Sequence, residues 1–103
     1  MDYSLEAAEA ARRAHAWAEN VDGLPSASER DVTRARARLW ALVAQACTAL
    51  AAVPSPPPLA VHAVGRALDA ARRQERSTER AEWQDQAWTW AEVALACAAA
   101  RPE

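Results

Sequence analysis

The sequence has no lysine, no phenylalanine and no isoleucine, and only two glycines and two cysteines among its 103 residues. Without lysine there is no P-loop lysine to reach a nucleotide's phosphates and no amine to form a Schiff base. The two histidines and two cysteines, His15, His62, Cys47 and Cys97, contain no pair spaced two to five residues apart, which is the spacing that zinc sites use. His15 and Cys47 would lie on the order of 20 Å apart in an antiparallel helical hairpin. The Glu-x-x-His signature of di-iron bundles is missing. No serine, threonine or cysteine stands in a pattern that supplies a base. Neither an enzyme nor a bound cofactor or metal is expected.

Other shortages bound the setting. The longest apolar stretch, Leu39 to Val53, is interrupted by Gln45 and Thr48 and falls short of the ~20 residues of a spanning helix. The beginning of the chain, Met1-Asp2-Tyr3-Ser4-Leu5-Glu6, is acidic early, unlike a secretion signal. With two cysteines and no such signal, both thiols are expected reduced and the protein cytoplasmic. All twelve basic residues are arginine, interspersed with fourteen acids for a net charge of −2. That balance argues against nucleic acid, which needs a basic surplus on one face.

Alanine is abundant, about a quarter of the chain. It is the strongest helix former because it loses no side-chain entropy, but it fills little core volume. The larger aliphatics are eight Leu, seven Val and one Met, so five Trp must supply much of the missing bulk. Arginine without lysine in an Ala-rich chain points to a GC-rich bacterial genome. Proline falls in only three places and no β-branched run exists, so long helices are predicted throughout.

Four helices follow from the periodicity. The first spans about 3–20 with Asp2 as N-cap, its stripe being Tyr3, Ala7, Ala10, Ala14, Trp17 and Val21; Asp22-Gly23 and Pro25 end it. The second spans about 28–53, capped through Ser26 with Glu29 or Ser28 with Asp31. Its stripe is Val32, Ala35, Leu39, Leu42, Ala46, Ala49 and Val53, widened by Val43 and Leu50. Pro54-Ser55-Pro56-Pro57-Pro58 stops this helix, since proline cannot continue one. The third runs from Pro57 or Pro58 to Gln74 on Val61, Val64, Leu68 and Ala71, with Gly65 beside the stripe predicting a close backbone neighbour. The polar segment 72–82 is read as a turn with Ser77 or Thr78 as the next N-cap. The fourth helix, about 78–100, carries a wide apolar arc of Trp83, Ala87, Trp88, Trp90, Ala91, Ala94, Leu95 and Cys97. The expected fold is all-α: a single-domain four-helix bundle of two antiparallel helical hairpins, about 2–53 and 58–100, joined by the Pro-rich connector 54–58.

Trp40–Cys47 aligns with Trp90–Cys97 at an offset of fifty residues. Duplication of a hairpin and coincidence in an Ala-rich chain both account for it. His62 shares a helix face with Arg66, Asp69 and Arg73, read as a solvated charged face, and His15 reads as a partly exposed packing residue. Arg30, Arg34 and Arg38 recur every four residues and form one ridge. Trp83 and Trp90 share one edge of the fourth helix while Trp88 points roughly 140° away. One helix in a small bundle rarely hides both edges, and Trp and Arg are enriched where proteins meet. The expected function is a helical protein-interaction module, a homodimer or the small partner of another protein. Trp83, Trp88 and Trp90 would make the contact, with Arg30, Arg34 and Arg38 as rim. The alternative is a small-molecule binding protein with a Trp-lined apolar pocket.

Overall fold

The computed structural model describes residues 2–76 and 80–100. Within them the chain is four helices and no strand: α1 (Tyr3–Val21), α2 (Ala27–Ala51), α3 (Pro58–Arg76) and α4 (Arg80–Ala99). The side chain of Asp2 caps α1 by accepting from the backbone N–H of Ser4 and Leu5. Of the two caps open to α2, Ser26 is used: its hydroxyl accepts from the Glu29 N–H at 3.1 Å. The cap expected at Ser77 or Thr78 lies outside the described residues. α1 packs on α2 and α3 on α4, as a bundle requires, and the whole is elongated, 51 × 23 × 22 Å. No described helix is long and apolar enough to cross a membrane.

α2 is the hub. It packs against each of the other three helices, whereas every α1–α3 and α1–α4 pair of Cα atoms is more than 8 Å apart among the described residues. The core is Leu39, Trp40, Val43, Cys47 and Leu50 of α2, Val64 and Leu68 of α3, and a lining of alanines from all four helices. Ala87, Ala91 and Ala94 are the fully covered residues of α4. Their short side chains bring that helix close, and the larger residues of its arc lie on the flanks.

Three sequence expectations need correction. Val32 and Ala35 of the expected α2 stripe are exposed, and the buried face is turned by roughly 70° toward Arg36, Trp40 and Cys47. The cause is α1: its Ala-rich stripe covers the side of α2 that carries Trp40, an area the Val/Leu stripe alone does not reveal. Val61 is likewise exposed, with Ala60, Ala63 and Ala67 buried in its place. Gly65, though half-buried, admits no close approach of another helix: a Cβ built there meets nothing within 4 Å beyond its own helical turn.

Gly65 therefore weakens α3 without serving packing. Gly65→Ala should raise stability by up to about 1 kcal/mol, the helix-propensity difference, measured as a higher midpoint in urea with unchanged slope.

Candidate functional site

Five tryptophans in an Ala-rich bundle need partners for their faces and their N–H groups, and the arginines supply them. In the first hairpin the exchange is reciprocal. Arg13 of α1 lies 4.8 Å over the ring of Trp40 of α2, and Arg36 of α2 lies 4.6 Å over the ring of Trp17 of α1. In the second, Arg66 lies 5.2 Å over Trp90 and Arg73 lies 5.0 Å over Trp83. Both pairs are seven residues apart on their helices, so two antiparallel helices match them rung for rung. Each such stack contributes on the order of 0.5–2 kcal/mol depending on its burial. His62 meets Trp90 edge to face at 5.6 Å. The face of His62, Arg66, Asp69 and Arg73 thus covers the Trp83–Trp90 edge of α4, although Asp69 and Arg73 also pair at 3.0 Å.

The indole N–H groups of the first hairpin converge. Trp17 Nε1 and Trp40 Nε1 both donate to Glu75 Oε1, at 2.9 and 2.8 Å. One carboxylate oxygen of α3 therefore ties α1 and α2 together. A second bridge runs from Arg72 to Glu6 at 2.6 Å. Beside it, burial and the Glu6 carboxylate push the Cys47 thiol up from 9.0 to about 11, against a smaller opposing pull from Arg72. Deeper still, Gln74 is fully buried; its Oε1 accepts from Gln84 Nε2 at 3.2 Å, and its own Nε2 has no partner among the described residues.

Trp88 is the fifth tryptophan and has no guanidinium over its ring among the described residues. It is 40% exposed. It lies with Asp31, Arg34, Ala35 and Arg38 of α2 around one open depression, and Arg34 is paired to Asp31 at 3.0 Å. Of the six residues singled out from sequence, the fold brings together Trp88, Arg34 and Arg38. Arg30 is turned away to donate to the Leu24 carbonyl at 3.0 Å. Trp83 and Trp90 sit on the opposite edge of α4 under Arg73 and Arg66. His15, expected to pack, is exposed and salt-bridged to Glu19 at 3.3 Å. Sequence reasoning passed over Arg36 and Glu75. Arg36 is read from sequence as one more charge on α2, and nothing local marks Glu75 as an acceptor for indoles from two other helices.

No group of three or more His, Cys, Asp or Glu among the described residues is placed to hold a metal ion. Trp40 and Trp90, matched in the fifty-residue offset, stand in unlike surroundings: the first is in the core and bonded to Glu75, the second is half-buried at the α3 flank. Compared with known protein families, curated proteins and solved structures, the chain has no match.

Removing the shared acceptor should be costly. Glu75→Leu strands the buried Trp40 N–H and should lower stability by about 2 kcal/mol, with Glu75→Gln, which keeps an acceptor oxygen, losing less; urea unfolding followed by Trp emission measures both. The thiol gives a second expectation. Because the folded pKa of Cys47 lies above the unfolded one, its contribution to stability is intact below about 9 and declines as pH rises from about 9 to about 11. Cys47→Ala should flatten that part of the pH profile, and at neutral pH alkylation of the native protein should label Cys97 ahead of Cys47.

Proposed function

We propose that this protein is a helical interaction module that pairs with a second copy of itself through the outer face of α2 and α4, centred on Trp88. In this reading the scaffold is two antiparallel helical hairpins joined through the Pro-rich segment 54–58. Its place is the cytoplasm, where Cys47 and Cys97, both free, would stay reduced.

The observation that carries the reading is the contrast among the tryptophans. Four lie under a guanidinium from a facing helix, and the fifth is left partly bare beside two arginines. A half-exposed Trp with an arginine rim has the composition of an interface hot spot. Charge favours self-association over a foreign partner. Arg34 and Arg38 border Trp88 on the α2 side, while Asp85 and Glu92, three residues before and four after it, are exposed beside it on α4. A two-fold axis at Trp88 sets the basic rim of one copy against the acidic rim of the other, the self-complementarity an isologous dimer needs. A face two helices wide along the 20 residues of α4 is on the order of 550 Å², which is below the ~800 Å² per partner of a standard interface and fits a weak, concentration-dependent dimer. The Trp-lined ligand pocket is the weaker reading, because Trp83 and Trp90 spend their faces on Arg73 and Arg66.

Light scattering across a concentration series should give a dimer. Trp88→Ala should weaken it by tenfold or more, about 1.4 kcal/mol or above, with helical circular dichroism unchanged. Arg38→Glu should also weaken it, and adding Glu92→Arg should restore it. A wild-type chain that stays monomeric at every concentration refutes the proposal.

A further inference from the structure

Arg36 is only 8% exposed, yet its Nε and Nη2 have no hydrogen-bond partner among the described residues. These two nitrogens form one edge of the guanidinium, the edge that grips a carboxylate or phosphate through two parallel N–H···O bonds. The Trp17 ring lies under the group, its centroid 4.6 Å from the guanidinium carbon, and it offers that edge no acceptor oxygen. A buried charge with no counter-charge is strongly unfavourable. No carboxylate of the described residues lies within ion-pair distance of Arg36.

The surroundings indicate what would satisfy it. Arg36 lines a surface depression with Ser28, Glu29, Val32 and Thr33 of α2, and with Arg80, the first residue of α4. Arg80 also has no carboxylate partner among the described residues and spends only its Nε, on the Gln74 carbonyl at 3.2 Å. The start of α4 adds the partial positive charge of a helix N-terminus. Among the described residues that line the depression, two guanidiniums stand against the single carboxylate of Glu29, a surplus of positive charge, and Ser28 and Thr33 add hydroxyl donors on its wall.

We infer that this depression binds a small oxyanion, a carboxylate or a phosphate, which takes the empty edge of Arg36 and the free end of Arg80. The site is on a different flank of α2 from Trp88 and is independent of the dimer proposed above. Both nitrogens are buried in the free protein, so an anion in the depression takes them when the Arg36 side chain turns toward the depression it lines.

The test is thermal unfolding of the full chain with inorganic phosphate, with acetate and with chloride at matched ionic strength. Phosphate or acetate should raise the unfolding midpoint saturably, as a ligand of the native state does, and chloride should not. A response to phosphate alone identifies a phosphate-type ligand, and a response to acetate alone a carboxylate. Arg80→Gln should weaken the apparent affinity about tenfold, the worth of one charged hydrogen bond, and Glu29→Gln should tighten it. Arg36→Met should abolish the response, and the order of stability should reverse: without oxyanion the variant equals or exceeds wild type, and with it wild type is the more stable. Equal responses to all three anions overturn the inference, as does the absence of any response, or a phosphate or acetate response whose apparent affinity is unchanged by Arg80→Gln at this exposed position.

Discussion

One carboxylate oxygen holds the architecture together. Glu75 Oε1 accepts the indole N–H of Trp17 from α1 and of Trp40 from α2, so three helices meet at a single atom of α3. The bond matters most for α1. That helix packs its backbone only on α2, and of its residues only Ala10 and Val21 are buried. Alanine contributes little apolar area, so the long side chains that cross from α1 to α3 carry more of the cohesion than they would in a Leu-rich bundle. Trp17 to Glu75 and Arg72 to Glu6 are two such crossings.

The arginine usage follows from the same scarcity. A chain with few large aliphatics builds its core from tryptophan, and a tryptophan at the margin of an Ala-lined helix leaves a ring face uncovered. Guanidinium is planar and weakly hydrated, so it stacks on that face while its edges stay free for other partners; an ammonium would not cover the ring as well. Arg13 shows the double use, stacking on Trp40 while pairing with Glu9 at 3.0 Å. The absence of lysine is thus structurally consistent with what holds both hairpins together. It also singles out two exceptions, a ring without a guanidinium at Trp88 and a guanidinium edge without an acceptor at Arg36. With the buried Nε2 of Gln74, these are places among the described residues where side chains leave an interaction unfilled.

Much of this was legible in the sequence. The four helices, the Asp2 cap, the Tyr3–Val21 stripe of α1 and the Ala87–Ala91–Ala94 part of the arc of α4 follow from residue periodicity and propensity, which act over a few residues and need no knowledge of neighbours. The ridge of Arg34 and Arg38 was legible for the same reason, and so was the divergence of Trp88 from Trp83 and Trp90. The angle at which α2 presents its core was not. Its Val/Leu stripe and its Trp40–Cys47 edge compete, and only the position of α1 decides between them. The pairing of rings with guanidiniums was hidden as well, because Arg36 and Trp17, or Arg73 and Trp83, are joined by helix packing rather than by spacing.

Sequence by itself therefore determined that the described chain is helical, where α1 begins, and that no lysine chemistry is open to it, since composition and local periodicity suffice for all three. Tertiary structure alone decided which tryptophans are covered and which is bare, that Glu75 receives two indoles, and that Arg36 is buried without a counter-charge among the described residues. Those outcomes depend on which helix lies beside which, and that order is set by the summed packing of α2 against three neighbours rather than by any single segment.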